Sequence, residues 1–208
     1  MLKISKISIL LLIIATFSVT SNAQVNPVIL KSQAISEMQT GLYGEAIALL
    51  NKYIAARPQN ADGYNLRGVC YEKRKQYEQA VYDLRTAHKL KPNDKKINEN
   101  LSRTTQKWYT LLYNNIEGYK RDIAINPNKA GNYLQIGKSY KNLGKWQLAE
   151  EWYDQYLARQ HASPDEIIRY SEILAKNNHI AKGWPILKKY TQEYPNDYGQ
   201  DSVIFPCG

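Results

Sequence analysis

Three histidines, two cysteines and seventeen tyrosines carry the richest chemistry in this sequence of 208 residues. His88, His161 and His179 could move protons near neutral pH or ligate a metal. A metal site on a helix face needs two ligands about a turn apart, and no two of these histidines stand at such a spacing. The chain also has no glycine-rich phosphate loop, no G-x-S-x-G elbow and no H-E-x-x-H. No catalytic, cofactor-binding or metal-binding set is read from it, and a binding protein is expected rather than an enzyme. One bridge between Cys70 and Cys207 could not organise a chain of this length. Cys70 falls inside an apolar helical run, where a small buried hydrophobe is expected. Cys207, in the terminal segment, is better placed to bond a second molecule. Tyrosine outnumbers phenylalanine seventeen to two, which suits either a stacking platform for sugars and bases or a packed core.

Charge offers a second route to binding. Lysine and arginine total 28 against 19 acids, a net charge of +9, which suits an acidic protein, a lipid headgroup, a cell-wall polymer or nucleic acid. Two of those lysines, Lys3 and Lys6, precede an apolar run over 7–19 and the small-residue triplet Ser21-Asn22-Ala23. That order predicts a secretory signal peptide over 1–23, cleaved after Ala23, and a mature chain of net charge +7 from Gln24. An uncleaved anchor is the alternative, but the run is short against the roughly 20 residues a membrane span needs. No cysteine follows the run to accept a lipid. The expectation is an exported protein, periplasmic or extracellular, with peripheral membrane contact at most. Export argues against nucleic acid and would place the two cysteines in a compartment where disulfides can form.

The elements that would position these groups follow from an internal repeat. Pro58, Pro92, Pro127 and Pro195 close apolar runs at steps of 34, 35 and 68 residues. An aromatic or aliphatic residue followed three later by a small one recurs as Tyr43/Ala46, Tyr77/Ala80, Trp146/Ala149 and Ile180/Gly183, at steps of 34, 69 and 34. Ala34, Gly68, Gly137 and Ser171 repeat those steps. Each unit holds two apolar-periodic stretches of helical length, parted by Gly41, Gly144 or the polar run from Glu72 to Gln76. Proline cannot continue a helix and so ends the second stretch. Gly68 and Ala80 are expected where two antiparallel helices press together.

The stretch from Tyr64-Asn65-Leu66-Arg67-Gly68 through Tyr77-Glu78-Gln79-Ala80 to Leu84, Ala87 and Pro92 resembles the tetratricopeptide repeat nearly position for position. Tyr133, Gly137, Tyr140, Gly144-Lys145-Trp146, Ala149 and Tyr153 match as closely. The resemblance implies an all-α fold, a right-handed superhelical solenoid of about five helical hairpins. The units are 27–60, 61–94, 95–129, 130–163 and 164–197, with a tail over 198–208. The third is degenerate: Asn115 stands in place of a small residue, the turn near Tyr109 lacks glycine, and two helices or one longer bent helix are both open. Tyr64, Tyr71, Tyr77, Tyr133, Tyr140 and Tyr153 fall on positions that the family fills with aromatics for packing, which favours the core reading.

In this family the first helix of each hairpin lines the concave face, so groove residues are carried over from the resemblance. They are Lys31, Ile35 and Met38; Asn65, Val69, Glu72 and Lys73; Glu99, Arg103, Gln106 and Lys107. The last two units add Leu134, Lys138, Lys141, Ile168, Glu172 and Lys176. The face is mixed with a basic bias at Arg103, Lys107, Lys138 and Lys141, which suits a peptide carrying carboxylates. Some members clamp a C-terminal carboxylate; here Lys31 and Lys96 match, but Ile35, Leu66 and Asn100 stand where Asn, Asn and Arg are needed. The tail, with Val203, Ile204 and Phe205, is expected to cover the last hairpin or dock on a second molecule. The function expected is an exported adaptor or assembly factor at the cell envelope that holds a protein or peptide partner. The alternative is electrostatic binding of an anionic cell-wall glycan or membrane surface.

Overall fold

The computed structural model describes residues 26–193, and the expected leader, Cys207, Pro195 and the apolar tail lie outside them. The described chain is all-helical: α1 (Pro27–Gln39), α2 (Tyr43–Ala56), α3 (Ala61–Lys73), α4 (Tyr77–Leu90), α5 (Lys95–Ile125), α6 (Ala130–Asn142), α7 (Trp146–Leu157), α8 (Pro164–Lys176) and α9 (Ile180–Glu193). Among the described residues no helix is long and apolar enough to cross a membrane.

Helix starts use the local chemistry of the sequence. Asn26 and Asn60 cap α1 and α3, each side chain accepting from a backbone N–H two residues on at 2.9 Å. At α8, Glu166 reaches back to accept from the Ser163 N–H at 2.9 Å, and Pro164 fills the first helical position.

One device closes all four hairpins. Gly41, Lys75, Gly144 and Asn178 have φ of +81°, +60°, +71° and +60°, at the repeat's own steps. In each turn the next N–H donates five residues back, from Leu42, Gln76, Lys145 and His179 to the carbonyls of Glu37, Tyr71, Tyr140 and Leu174 at 2.8–2.9 Å. The left-handed residue donates three residues back in all four. This is the Schellman arrangement, which satisfies the last carbonyls of a helix while reversing the chain. Lys75 and Asn178 show that glycine is favoured but not required.

The third unit departs from the five expected hairpins: it is one continuous helix, α5, 31 residues long, flanked among the described residues by four hairpins. Tyr109 occupies the position of Lys75 one repeat on. A bulky aromatic is a poor left-handed residue, at a cost of roughly 1–2 kcal/mol. The helix also has a reason to continue, since Thr104, Trp108, Leu112 and Ile116 are buried at four-residue steps through the point where a turn would fall.

The chain divides into two compact units, residues up to 105 and residues from 106. In unit 1, Ala34, Ala46, Ile47, Leu50 and Cys70 form one buried cluster. Farther along, Ala61, Ala87 and Ile97 join Tyr64 and Leu90. A Cβ on Gly68 would stand 2.8 Å from Leu84 and 3.1 Å from the Ala80 carbonyl, the close approach expected there. In unit 2 the core is tyrosine-rich: Tyr133, Tyr140, Tyr153, Tyr156 and Tyr170 are buried with Ile116, Leu134, Ile136 and Ile173. Tyrosine here is a packing residue, not a stacking platform.

Candidate functional site

The first helices of unit 1 are α1, α3 and the opening of α5. Their shared surface is organised by charge pairs between consecutive first helices. Lys31 Nζ donates to Asp62 Oδ2 at 2.6 Å, and Lys91 reaches the other oxygen at 3.2 Å. Hydrogen bonds from Lys31 outweigh partial burial and hold the Asp62 carboxyl below its usual range. Arg103 donates to both oxygens of Glu72 at 2.9 and 3.3 Å and to Asn100 Oδ1 at 2.9 Å. Asn100 in turn donates to Asn65 Oδ1 at 2.9 Å. Asn65, Glu72 and Asn100 are buried, so this is a fixed polar network rather than a loose solvated face.

Unit 2 repeats the plan. Lys141 Nζ meets Glu172 Oε2 at 2.7 Å, and Lys138 lies 3.9 Å from Glu166 Oε1, both joining α6 to α8. Burial raises the Glu166 carboxyl, but hydrogen bonds from Tyr156 and Ser163 outweigh it and leave it below the ordinary range. Ile168, four residues before Glu172 on the same helix face, is 52% exposed. Lys176 lies 6.0 Å from the centre of the Trp146 ring.

Each residue carried over from the resemblance can now be placed. Lys31, Arg103, Lys138 and Lys141 are ion-paired across repeats; Asn65 is buried in the polar network; Lys73, Lys107 and Lys176 are exposed. The basic bias counted from sequence is therefore largely neutralised by Asp62, Glu72, Glu166 and Glu172. The sequence carries a signal of this pairing. Lys31/Asp62, Glu72/Arg103 and Lys141/Glu172 are opposite charges at one spacing, 31 residues, which is one repeat less three. The carboxylate-clamp positions fare no better: Lys31 is held by Asp62, Ile35 is exposed, Leu66 packs half-buried against the core and Asn100 serves Asn65.

A second cluster joins the second helices of unit 2. Glu150 accepts from Asn177 Nδ2 at 2.6 Å and Lys182 Nζ at 2.8 Å, and meets His179 Nδ1 at 2.9 Å. Lys182 also donates to Asp154 at 2.6 Å, and Asp154 accepts from the Tyr170 hydroxyl. Burial alone would raise the Glu150 carboxyl; bonds from Lys182, Asn177 and His179 outweigh it and lower it. A carboxylate with a lowered folded pKa contributes stability above its unfolded pKa, and that contribution is lost as pH falls through the folded value. The melting temperature should therefore fall on acidification through and below the carboxylate range. Glu150→Gln should flatten part of that slope, and an unchanged slope in thermal melts across pH would remove Glu150 from the account.

Among the described residues, Cys70 and His88 have structural settings. Cys70 is fully buried and burial pushes its thiol up to about 11. His88 Nδ1 bonds Asn98 at 2.7 Å, and His161 is exposed. Among the described residues no group of three or more histidines, cysteines or acids could hold a metal. A hollow of about 320 Å³ is lined by Arg67, Tyr71, Tyr82 and Asp83, and two of these, Arg67 and Asp83, already bond each other.

Residues 61–94 match the family model for the tetratricopeptide repeat. No curated protein matches the chain. Among solved structures, MamA 41-end of Desulfovibrio magneticus RS-1 is 13% identical, with a TM-score of 0.39 over 83% of this chain and 97% of that one. YrrB, described as a TPR protein with an unusual peptide-binding site, is 16% identical with a TM-score of 0.40 over 88% and 93%. The first TPR of Spaghetti (RPAP3), bound to an HSP90 peptide, is 18% identical with a TM-score of 0.29 over 71% and 89%. At such scores the hairpins and the matched repeat, not these neighbours, carry the fold assignment.

Proposed function

We propose that this protein is an exported adaptor of the cell envelope that holds a peptide or helix of a protein partner on its first-helix surface. The observation that carries the reading is Ile168, a half-exposed apolar side chain on α8 one helical turn before Glu172, which Lys141 holds from α6. An apolar anchor set in a field of fixed, opposed charges suits a side chain of a docked segment, with the charges setting its register. Ile35 gives unit 1 a similar exposed apolar position, on the same helix as Lys31. The leader pattern of Lys3, Lys6 and the apolar run over 7–19 supports export.

Charge pairing favours this reading over an electrostatic contact with anionic glycan or lipid. A diffuse basic surface needs unopposed cations, and at least four of the eight basic or polar candidates have acidic partners instead. The test is retention of envelope proteins on the immobilised chain beside Ile168→Glu. A docked anchor predicts one or two retained proteins and at least a tenfold loss of affinity in the variant, about 1.4 kcal/mol. Equal retention by the variant would remove Ile168 from the site. Binding to anionic polymer that collapses with added salt and ignores the substitution would favour the electrostatic alternative.

A further inference from the structure

Helix α5 stands where every other described repeat has a hairpin, and its two ends serve as a hairpin's two helices in separate bodies. In unit 1 its opening acts as a first helix: Ile97 packs with Ala61 and Ala87, Asn98 bonds His88, and Arg103 bonds Glu72. In unit 2 its closing part acts as a second helix: Ile116 lies in the core with Ala130 and Tyr133, and Tyr119 and Ile123 pack against it. Among the described residues, neither unit contains the antiparallel mate that a closed hairpin would supply to its share of α5.

The seam where that mate would lie is open on both halves. In the closed hairpins Gly68 meets Ala80 and Gly137 meets Ala149, all four buried. Counted from Lys95 as Gly68 is from Ala61, and from Pro127 as Ala80 is from Pro92, the matching residues are Ser102 and Asn115. Both are exposed. Farther along the seam, Ala61 shares a cluster with Ala87, and Ala130 with Tyr156. The matching residues on α5 are Lys95 and Asp122, of opposite charge, both exposed, with the Lys95 side chain 91% so.

We propose that two copies of this chain associate by exchanging the halves of this open hairpin, 95–105 of each copy packing antiparallel on 112–125 of the other. Self-complementarity is the reason for a second copy rather than another partner. Each chain exposes both a first helix without a second and a second without a first, so one two-fold axis closes both seams. Lys95 then faces Asp122 of the partner subunit, and Ser102 faces Asn115 of the partner subunit, twice each. Two seams of this length would bury on the order of 1,500 Å², within the range of stable dimers. Exchange also recovers hairpin contacts without the left-handed conformation that Tyr109 resists. This interface lies on the open seam of α5, at Lys95, Ser102, Asn115 and Asp122, and does not rest on the peptide-binding reading.

Two measurements on the full chain decide it. In light scattering under reductant, the chain should show twice its 24.0 kDa mass. Lys95→Glu should weaken the association at least tenfold, Lys95→Glu with Asp122→Lys should restore it, and Tyr109→Gly should shift the population toward monomer. A monomer at all concentrations up to hundreds of micromolar overturns the proposal, as does a dimer indifferent to all three variants. The second uses Ser102→Cys with Asn115→Cys in a Cys207→Ser background. Along one helix these positions stand about 20 Å apart, beyond disulfide reach, so an open chain cannot link to itself. Oxidation should give a covalent dimer that neither cysteine forms alone. A monomer with an internal bond would mean that the hairpin closes in solution, and would overturn the exchange.

Discussion

Replacing Arg67 by alanine should lower the free energy of unfolding by about 3–5 kcal/mol, the cost of leaving a buried charge without its partner. Asp83 is 1% exposed on α4. Arg67 grips both of its oxygens from α3, Nε to Oδ2 at 2.7 Å and Nη2 to Oδ1 at 2.8 Å, while Nη1 reaches Asn51 on α2 at 2.7 Å. One guanidinium thus ties three helices of unit 1. Its planar fork matches the carboxylate, so lysine should rescue little. The control is Arg67→Leu with Asp83→Leu, which removes both charges and should recover most of the loss. Denaturant unfolding followed by helical signal reads all three. A loss under about 1 kcal/mol in the single variant would mean that water reaches Asp83.

In unit 2 the matching test separates a ring from its hydroxyl. Tyr153→Ala should cost about 3–5 kcal/mol, because the ring is fully buried and stacked on Tyr170 with centroids 5.8 Å apart. Gly137 is glycine on its account, since a Cβ there would stand 2.6 Å from the ring. The hydroxyl is another matter: it is buried with no hydrogen-bond partner, and burial pushes the phenol up to about 12. Tyr153→Phe should therefore leave stability unchanged or slightly raised. A loss of about 1 kcal/mol or more in the phenylalanine variant would show that a bound water satisfies that oxygen.

What could be read from sequence, and what could not, divides along the range of the interaction concerned. Helical period, the closing prolines and the small residues Gly68 and Gly137 depend on near neighbours or on one hairpin, and they were legible. Gly41 and Gly144 announced their turns; Lys75 and Asn178 adopt the same left-handed geometry without announcing it. The third unit was harder, because missing glycine at Tyr109 does not by itself exclude a turn, as Lys75 shows. What decides for a continuous helix is the buried run from Thr104 to Ile116, visible only once burial is known. The surface was least legible. Counting lysines gave a basic face, while the charges that neutralise it come from the next repeat, at a spacing set by how consecutive first helices pack.

The side-chain bonds described above span 35 residues at most, between Asn65 and Asn100, and the Schellman turns span five. Such a chain has low contact order, and fast folding follows, since each step closes a short loop before the next repeat is needed. A chain of this kind can fold progressively from its leading end as it emerges from a ribosome or a membrane pore, each hairpin finding its support in the one before. It also has no strand edge among its described residues to recruit a neighbour while it waits.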